Sequence, residues 1–178
     1  MRIIAGSRKG ARIFAPKGSD TRPTGDRVRE AAFNLIGPGR VEDAIVLDLF
    51  AGSGAMGLEA LSRGAAKATF VESDREACRT INRNLDKLDL EGATVLCQDA
   101  LTALRADVRS CTRYDLVLVD PPYEMTDHAA LARYLPHVVA DDGVVVFETA
   151  AQEEPELPLQ KRTSRRYGSA RLTLFENE

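Results

Sequence analysis

From residue 44 onward the sequence alternates between two kinds of hydrophobic pattern. Short, almost unbroken apolar runs have the length and β-branched content of buried strands: "AIVLDLF" (44–50), "ATFVE" (68–72), "TVLC" (94–97), "YDLVLVD" (114–120) and "GVVVFET" (143–149). Between them lie stretches with apolar residues at helical spacing: "GAMGLEALSRG" (54–64), "DREACRTINRNLDKL" (74–88), "ALTALRAD" (100–107) and "DHAALARYLPHVV" (127–139). Cys78, Ile81, Leu85 and Leu88 share one face of the second. Gly64 is placed to end the first, and Pro136 to bend or end the last. Two further strands, 159–167 and 170–176, meet at a turn near Gly168. Such strands alternating with helices predict a mostly parallel sheet covered on both faces. With the final hairpin this is an α/β fold of seven strands.

The segment before residue 44 has a different pattern. Residues 2–16 read as a hairpin, "RIIAG" and "ARIFA" joined near Ser7–Gly10. Residues 17–25, with Gly18, Pro23 and Gly25, read as a loop. Residues 26–36 read as a helix with Val28, Ala31, Ala32, Leu35 and Ile36 on one face, ended by Gly-Pro-Gly at 37–39. The expected organisation is a β-hairpin extension and loop over residues 1–25, followed by one domain over 26–178.

Composition narrows the class. The 178 residues, 44% hydrophobic and 29% charged, are those of an ordinary single globular domain. No apolar run is long enough to span a bilayer, and the N-terminus lacks the apolar core of a secretory signal, so the cytoplasm is the expected compartment. Cys78, Cys97 and Cys111 form no C-x-x-C pair, and His128 and His137 stand apart. Neither a metal site nor a disulfide framework is expected, and Cys97 is expected to be a core thiol. The net charge of −3 conceals a polarised chain. Residues 1–29 carry eight Lys/Arg and two acids, residues 161–171 five Lys/Arg and no acid, and residues 30–160 eleven basic and 23 acidic residues. Both basic segments contain strand-forming apolar residues, so they predict folded basic faces suited to a polyanion.

The chemistry concentrates at the ends of the predicted strands. "LDLFAGSGAMG" (47–57) places Gly52-x-Gly54-x-x-Gly57 between a strand and a helix, where glycines admit close backbone approach and a helix N-terminus offers free N–H groups. Glu72 lies 20 residues after Gly52, at the end of the next strand, where an acid can accept from ribose hydroxyls. The pattern implies an adenosine-containing cofactor. Two features weigh against a dinucleotide. Asp48 precedes the loop, where its carboxylate opposes a diphosphate, and Asp99 follows the third strand, placed to accept from an adenine amino group. Acids ending three strands form an electronegative cup, which suits S-adenosylmethionine, a sulfonium with an α-amino group and no phosphate. The fourth strand ends in Asp120-Pro121-Pro122-Tyr123. Proline cannot donate to a sheet ladder and fixes φ, so the pair both stops the strand and stiffens the chain that presents Asp120 and Tyr123.

With Asp48-Leu-Phe50-Ala51-Gly52-Ser53-Gly54, Glu72, Asp99 and Asp120-Pro-Pro-Tyr123 in this order, the chain resembles the Rossmann-like class I S-adenosylmethionine-dependent methyltransferases, in particular those that methylate an exocyclic or amide nitrogen. "RIIAGSRKGARI", "TRPTGDRVREAAFNLI" (21–36) and "RRYGSARLTLFE" (165–176) narrow the resemblance to the bacterial 16S ribosomal RNA guanine-N2 methyltransferases, over essentially the whole chain. The resemblance implies a seven-stranded sheet whose last strand is antiparallel, and an N-terminal hairpin extension. It also implies methylation of one guanine in 16S rRNA within the assembling small ribosomal subunit.

It further implies a role for each motif residue. Asp120 and the Pro121 carbonyl would accept the two N–H groups of the target amine, with Pro122 rigidifying the turn and Tyr123 stacking on a flipped-out base. Asp48, Phe50, Ala51, Gly52, Ser53 and Gly54 would face the amino acid end of the cofactor, Glu72 and Ser73 its ribose, and Asp99 and Ala100 its adenine. Arg22, Thr24 and Arg27 fit three roles: closing over the cofactor, gripping phosphate or capping the helix that follows. Arg8, Lys9, Arg12, Arg22, Arg165 and Arg166 are candidate phosphate contacts. A monomer that uses no metal and contacts no membrane is expected. Four alternatives stand beside this reading: an adenine-N6 nucleic-acid methyltransferase and a protein glutamine-N5 methyltransferase, which usually carry Asn first in the tetrapeptide; an NAD-dependent oxidoreductase; and a non-catalytic RNA-binding module.

Overall fold

Strand β1 (Ile45–Leu49) lies inside the sheet, paired on both sides, and its alternation sets the layers. The structure, a computed structural model of the chain, describes residues 1–16, 23–122, 124–125 and 128–178. β1 is followed by α2 (Ala55–Ser62), β2 (Lys67–Glu72), α3 (Arg75–Leu88), β3 (Ala93–Cys97), α4 (Ala100–Ser110), β4 (Tyr114–Val119), α5 (Ala129–Val138), β5 (Val139–Ala150), β6 (Gln160–Tyr167) and β7 (Ala170–Glu176); α1 (Pro23–Ile36) precedes it. The sheet order is β3-β2-β1-β4-β5-β7-β6, parallel from β3 through β5, with β7 antiparallel to both its neighbours. The expected α/β architecture, strand number and antiparallel last strand are all present.

Residues alternate between two apolar layers. Val46, Leu116, Leu118, Val144 and Val146 pack with α1, α2 and α3; Leu47, Leu49, Val117, Val119, Val145 and Phe147 pack with α4 and α5. Parity therefore places Asp48, Asp120 and Glu148 on the α1–α3 side at the carboxyl ends of three adjacent strands.

The hairpin is smaller than expected as a sheet and better anchored. Its ladder reduces to one bridge, Arg2 opposite Arg12, with Ile3 N–H donating to Ala11 and Gly10 N–H to Ile3. Ile3 and Ile13 enter the core. Glu59, fully buried on α2, accepts from the N–H groups of Ile4 (2.8 Å) and Ala5 (2.9 Å) and from the guanidinium groups of Arg29 (3.4 Å) and Arg63 (2.8 Å). Asn84 on α3 brackets Phe14 through both its N–H and carbonyl, and donates to the Ser53 carbonyl in the glycine loop. Gly6, at φ 82, lies so close to the Ser62 carbonyl that a Cβ would stand 1.8 Å from its oxygen.

α5 runs through Pro136 and ends two residues later, at Val138, in keeping with the expected end near that proline. Two local expectations are corrected. β5 begins at Val139, earlier than residue 143, because an irregularity around Asp142 (φ 60) lets the chain pair with Tyr114 before it pairs with Leu116. Cys97 is exposed, as the last residue of the edge strand β3; the buried thiol is Cys78.

Removing the Glu59 carboxylate leaves Arg29 buried beside two unpaired hairpin N–H groups. Glu59→Ala is expected to cost about 3–5 kcal/mol of unfolding free energy, read from urea denaturation.

Candidate active site

The glycine loop is closed by the protein's own carboxylates. Gly54, at φ 79, caps α2 in the left-handed region, and Gly52 has φ 55. At Gly57 a Cβ would lie 2.3 Å from the Phe70 ring and 3.0 Å from Asp48, so α2 packs onto the strands only with glycine there. Asp48 Oδ2 accepts from Gly57 N–H at 2.8 Å, and Glu72 accepts from Gly52 N–H and Asp74 N–H, both at 2.8 Å. The helix N-terminus, which in a dinucleotide fold receives a diphosphate, here faces Asp48.

Beside the loop lies a cleft of about 210 Å³ lined by Asp48, Phe50, Ala51, Gly52, Ser53, Asp120 and Glu148, with Met1, Val28, Arg29 and Met56 completing its walls. Arg29 is committed to Glu59, to Asp26 (2.9 Å) and to the Arg2 carbonyl, so its charge is already matched. The cleft is acidic. Asp48 is buried, and the loss of water pushes its carboxyl up to about 8 despite the Gly57 hydrogen bond; Asp120 and Glu72 add to the rise. Glu148 is also pushed up to about 8, first by enclosure and then by the neighbouring Asp120. Asp120 meets solvent at the mouth of the cleft and is enclosed by protein elsewhere, which raises it to about 6. Pro121 is buried and Pro122 exposed.

The remaining candidates divide. Asp99 is exposed and caps α4, accepting from Thr102 N–H at 3.0 Å, while Ala100 begins the helix and is buried. Glu72 and Ser73 adjoin the loop without lining the cleft. Arg27 is exposed on α1 and lines a second hollow with Arg2, Lys9, Asp26 and Glu30. Arg8 donates to the carbonyls of Leu88 and Asp89, fastening the hairpin to the end of α3. Lys9, Arg12, Arg165 and Arg166 are exposed. Arg22, the Thr24 side chain and Tyr123 lie outside the described residues. Among the described residues no group of His, Cys, Asp and Glu is arranged to hold a metal ion, and no helix is long and apolar enough to cross a membrane.

The sequence reading missed Glu148, Glu59, Arg29 and Asn84. Glu148 had a signal: it follows Val144 and Val146 at period two, as Asp120 follows Leu116 and Leu118.

Sheet order, antiparallel β7, a carboxylate-closed glycine loop after β1 and Asp-Pro-Pro after β4 together define a class I S-adenosylmethionine-dependent methyltransferase fold. A 16S rRNA N2 methyltransferase from T. thermophilus, solved with AdoMet and guanosine, shares this fold (TM-score 0.70, 21% identity, 91% of this chain and 45% of that one). The chain belongs to the family described as Conserved hypothetical protein 95, whose model matches residues 1–176. It is similar to the YlbH protein of Bacillus subtilis strain 168 (42% identity over 161 residues, 89% of this chain and 86% of that protein). It is also similar to Ribosomal RNA small subunit methyltransferase D of Escherichia coli K12 (39% over 157 residues, 88% and 75%). Among solved structures, the yhhF protein of Escherichia coli superposes with a TM-score of 0.87 at 35% identity, covering 100% of this chain and 98% of that one.

The raised carboxyls set a pH dependence. Asp48, Asp120 and Glu148 ordinarily titrate near 3.8 to 4.5, and in the folded protein are raised to about 6 to 8. Between these limits the folded protein holds protons that the unfolded chain has released, so stability falls as pH rises through the window. The thermal midpoint of the ligand-free protein is expected to drop between pH 5 and 8.5, and Glu148→Gln to flatten that slope.

Proposed function

We propose that this protein transfers a methyl group from S-adenosylmethionine to the exocyclic N2 amine of a guanine in small-subunit (16S) ribosomal RNA. The observation that carries the proposal is the pairing, across one cleft, of a glycine loop whose N–H groups go to Asp48 and Glu72 with an Asp-Pro-Pro turn on the adjacent strand. A loop whose anion site holds Asp48 disfavours a dinucleotide and suits a cationic cofactor. When bound, S-adenosylmethionine supplies an electrophilic methyl group on a sulfonium.

The residues of this chain then have defined work. The guanine N2 lone pair is delocalised into the ring, so the amine needs positioning and polarisation. The Asp120 carboxylate and the Pro121 carbonyl are both acceptors, matched to an amine with two N–H groups. As the nitrogen gains positive charge these acceptors bind it more strongly, which lowers the barrier rather than the ground state. Raised by its enclosure to about 6, the Asp120 carboxyl is also suited to take the departing proton near neutral pH. Tyr123 follows the prolines and supplies the ring to stack on the base. Phosphate contacts fall to Lys9, Arg12, Arg165 and Arg166; Arg8 serves the hairpin instead. The relatives named for small-subunit rRNA support the substrate class.

Labelled methyl transfer onto naked rRNA, small subunits and DNA, followed by nucleoside analysis, tests the assignment. N2-methylguanosine in small-subunit RNA is expected; N6-methyladenosine would overturn it. Asp120→Ala should lower kcat by at least about a thousandfold while S-adenosylmethionine affinity stays within a few fold. Reversing the charge of Arg165 and Arg166 should weaken RNA binding and reduce the slope of log K against log salt by about 2. An unchanged slope would remove β6 from the interface.

A further inference from the structure

Glu148 is the one carboxylate of the cleft that the proposed mechanism leaves without a task. It sits near the end of β5, one step past the Val119–Phe147 pairing, on the same side of the sheet as Asp120. Its backbone pairs with Leu172, and its side chain faces the cleft shared with Asp48 and Asp120. Asp48 is satisfied by Gly57 N–H. Among the described residues no hydrogen-bond donor reaches the Glu148 carboxyl, and the nearby cation, Arg29, is committed to Glu59 and Asp26. With no donor from the described residues and its oxygens open to the cleft, the Glu148 carboxyl is free to accept from an N–H of a ligand placed beside Asp120.

We propose that Glu148 selects guanine by accepting a hydrogen bond from its N1–H, the ring donor next to the N2 amine held by Asp120. The inference rests on the guanine-N2 reading above. On the Watson–Crick edge of guanine, N1–H and the N2 amine are adjacent donors, and two neighbouring carboxylates on one sheet face offer adjacent acceptors. A purine that keeps the N2 amine but has a bare N1 lone pair turns that lone pair toward Glu148, leaving two acceptors opposed and unpaired. A site built to bond an N–H rejects the analogue lacking it far more strongly than a site that excludes by size. An N–H donor also favours the ionised form of Glu148, the form that only accepts.

The test uses 2-aminopurine, which keeps the amine and lacks N1–H. Once the methylated guanine is mapped, it is replaced by 2-aminopurine through splinted ligation of the small-subunit rRNA, and kcat/KM is compared for the full-length enzyme and its variants. The wild type is expected to disfavour 2-aminopurine by about a thousandfold or more. Glu148→Gln, whose amide can either accept from N1–H or donate to the bare N1, should bring the two substrates within about tenfold. Glu148→Asp, which keeps a carboxylate, should be slower yet retain the preference. Guanine activity and discrimination of Glu148→Gln at wild-type levels would overturn the proposal. So would a tenfold loss of S-adenosylmethionine affinity with the preference intact, which would assign Glu148 to the cofactor's amino group. Should Glu148→Gln fail to fold, loss of the preference in Glu148→Asp overturns the proposal and retention upholds it. Absence of N2-methylguanosine with the wild type would instead reject the guanine-N2 reading itself.

Discussion

The structure of the site depends on one hydrogen bond, from Gly57 N–H to the buried carboxylate of Asp48 at 2.8 Å. A helix N-terminus carries unsatisfied donors and a partial positive charge, and most glycine loops of this spacing offer both to a ligand phosphate. Here a strand residue takes the position first. Gly57 allows it, because any larger residue would press against the Phe70 ring and the carboxylate itself. The consequence reaches the ligand: with Gly57 N–H taken by Asp48 and Gly52 N–H by Glu72, the cleft is lined with acceptors, which suit cations and N–H groups better than phosphates.

Sheet parity extends this constraint across three strands. Asp48 lies on the same side as Val46, Asp120 on that of Leu118, and Glu148 on that of Val146. A one-residue slip in any pairing would send one of these acids to the α4–α5 layer. The apolar packing of Leu116, Leu118, Val144 and Val146 under α1–α3 therefore fixes the chemistry as well as the core. Burial raises all three carboxyls, and the neighbouring Asp120 adds a smaller repulsion at Asp48 and Glu148. A bound cation favours their ionised forms.

Local pattern made the strands, helices, glycine loop and Asp-Pro-Pro turn legible, because each depends on residues within a few positions of one another. Glu148 was legible through period two, once β5 was set beside β4. Glu59, Arg29 and Asn84 were not: their partners lie 30 to 70 residues away, and a Glu at position 59 of an amphipathic helix looks like any solvated face until the hairpin covers it. Asp99 shows the opposite difficulty. Its position after β3 fitted an adenine contact, and the same position is where a helix needs its cap; the side chain accepts from Thr102 N–H. Arg8 was counted with the basic surface by composition alone, whereas its guanidinium satisfies the open carbonyls at the end of α3.

An acidic cleft sets a problem for a polyanionic substrate, since the field that holds a sulfonium repels a phosphate backbone. The distribution of charge along the chain resolves it. The hairpin, tied to α2 and α3 through Glu59, Ser62 and Asn84, places Lys9 and Arg12 on one side, and β6 carries Arg165 and Arg166 on the opposite sheet edge. Under the proposed function, these cations would hold the backbone at the periphery, where contacts to phosphate position without reading sequence. Only the base, neutral and rich in N–H donors on its Watson–Crick edge, would then enter the acids at the centre. The hairpin is fastened by a buried ion pair and side-chain brackets rather than by a long ladder, and a two-strand ladder alone is too weak to hold such a charged loop at a fixed distance from the cleft.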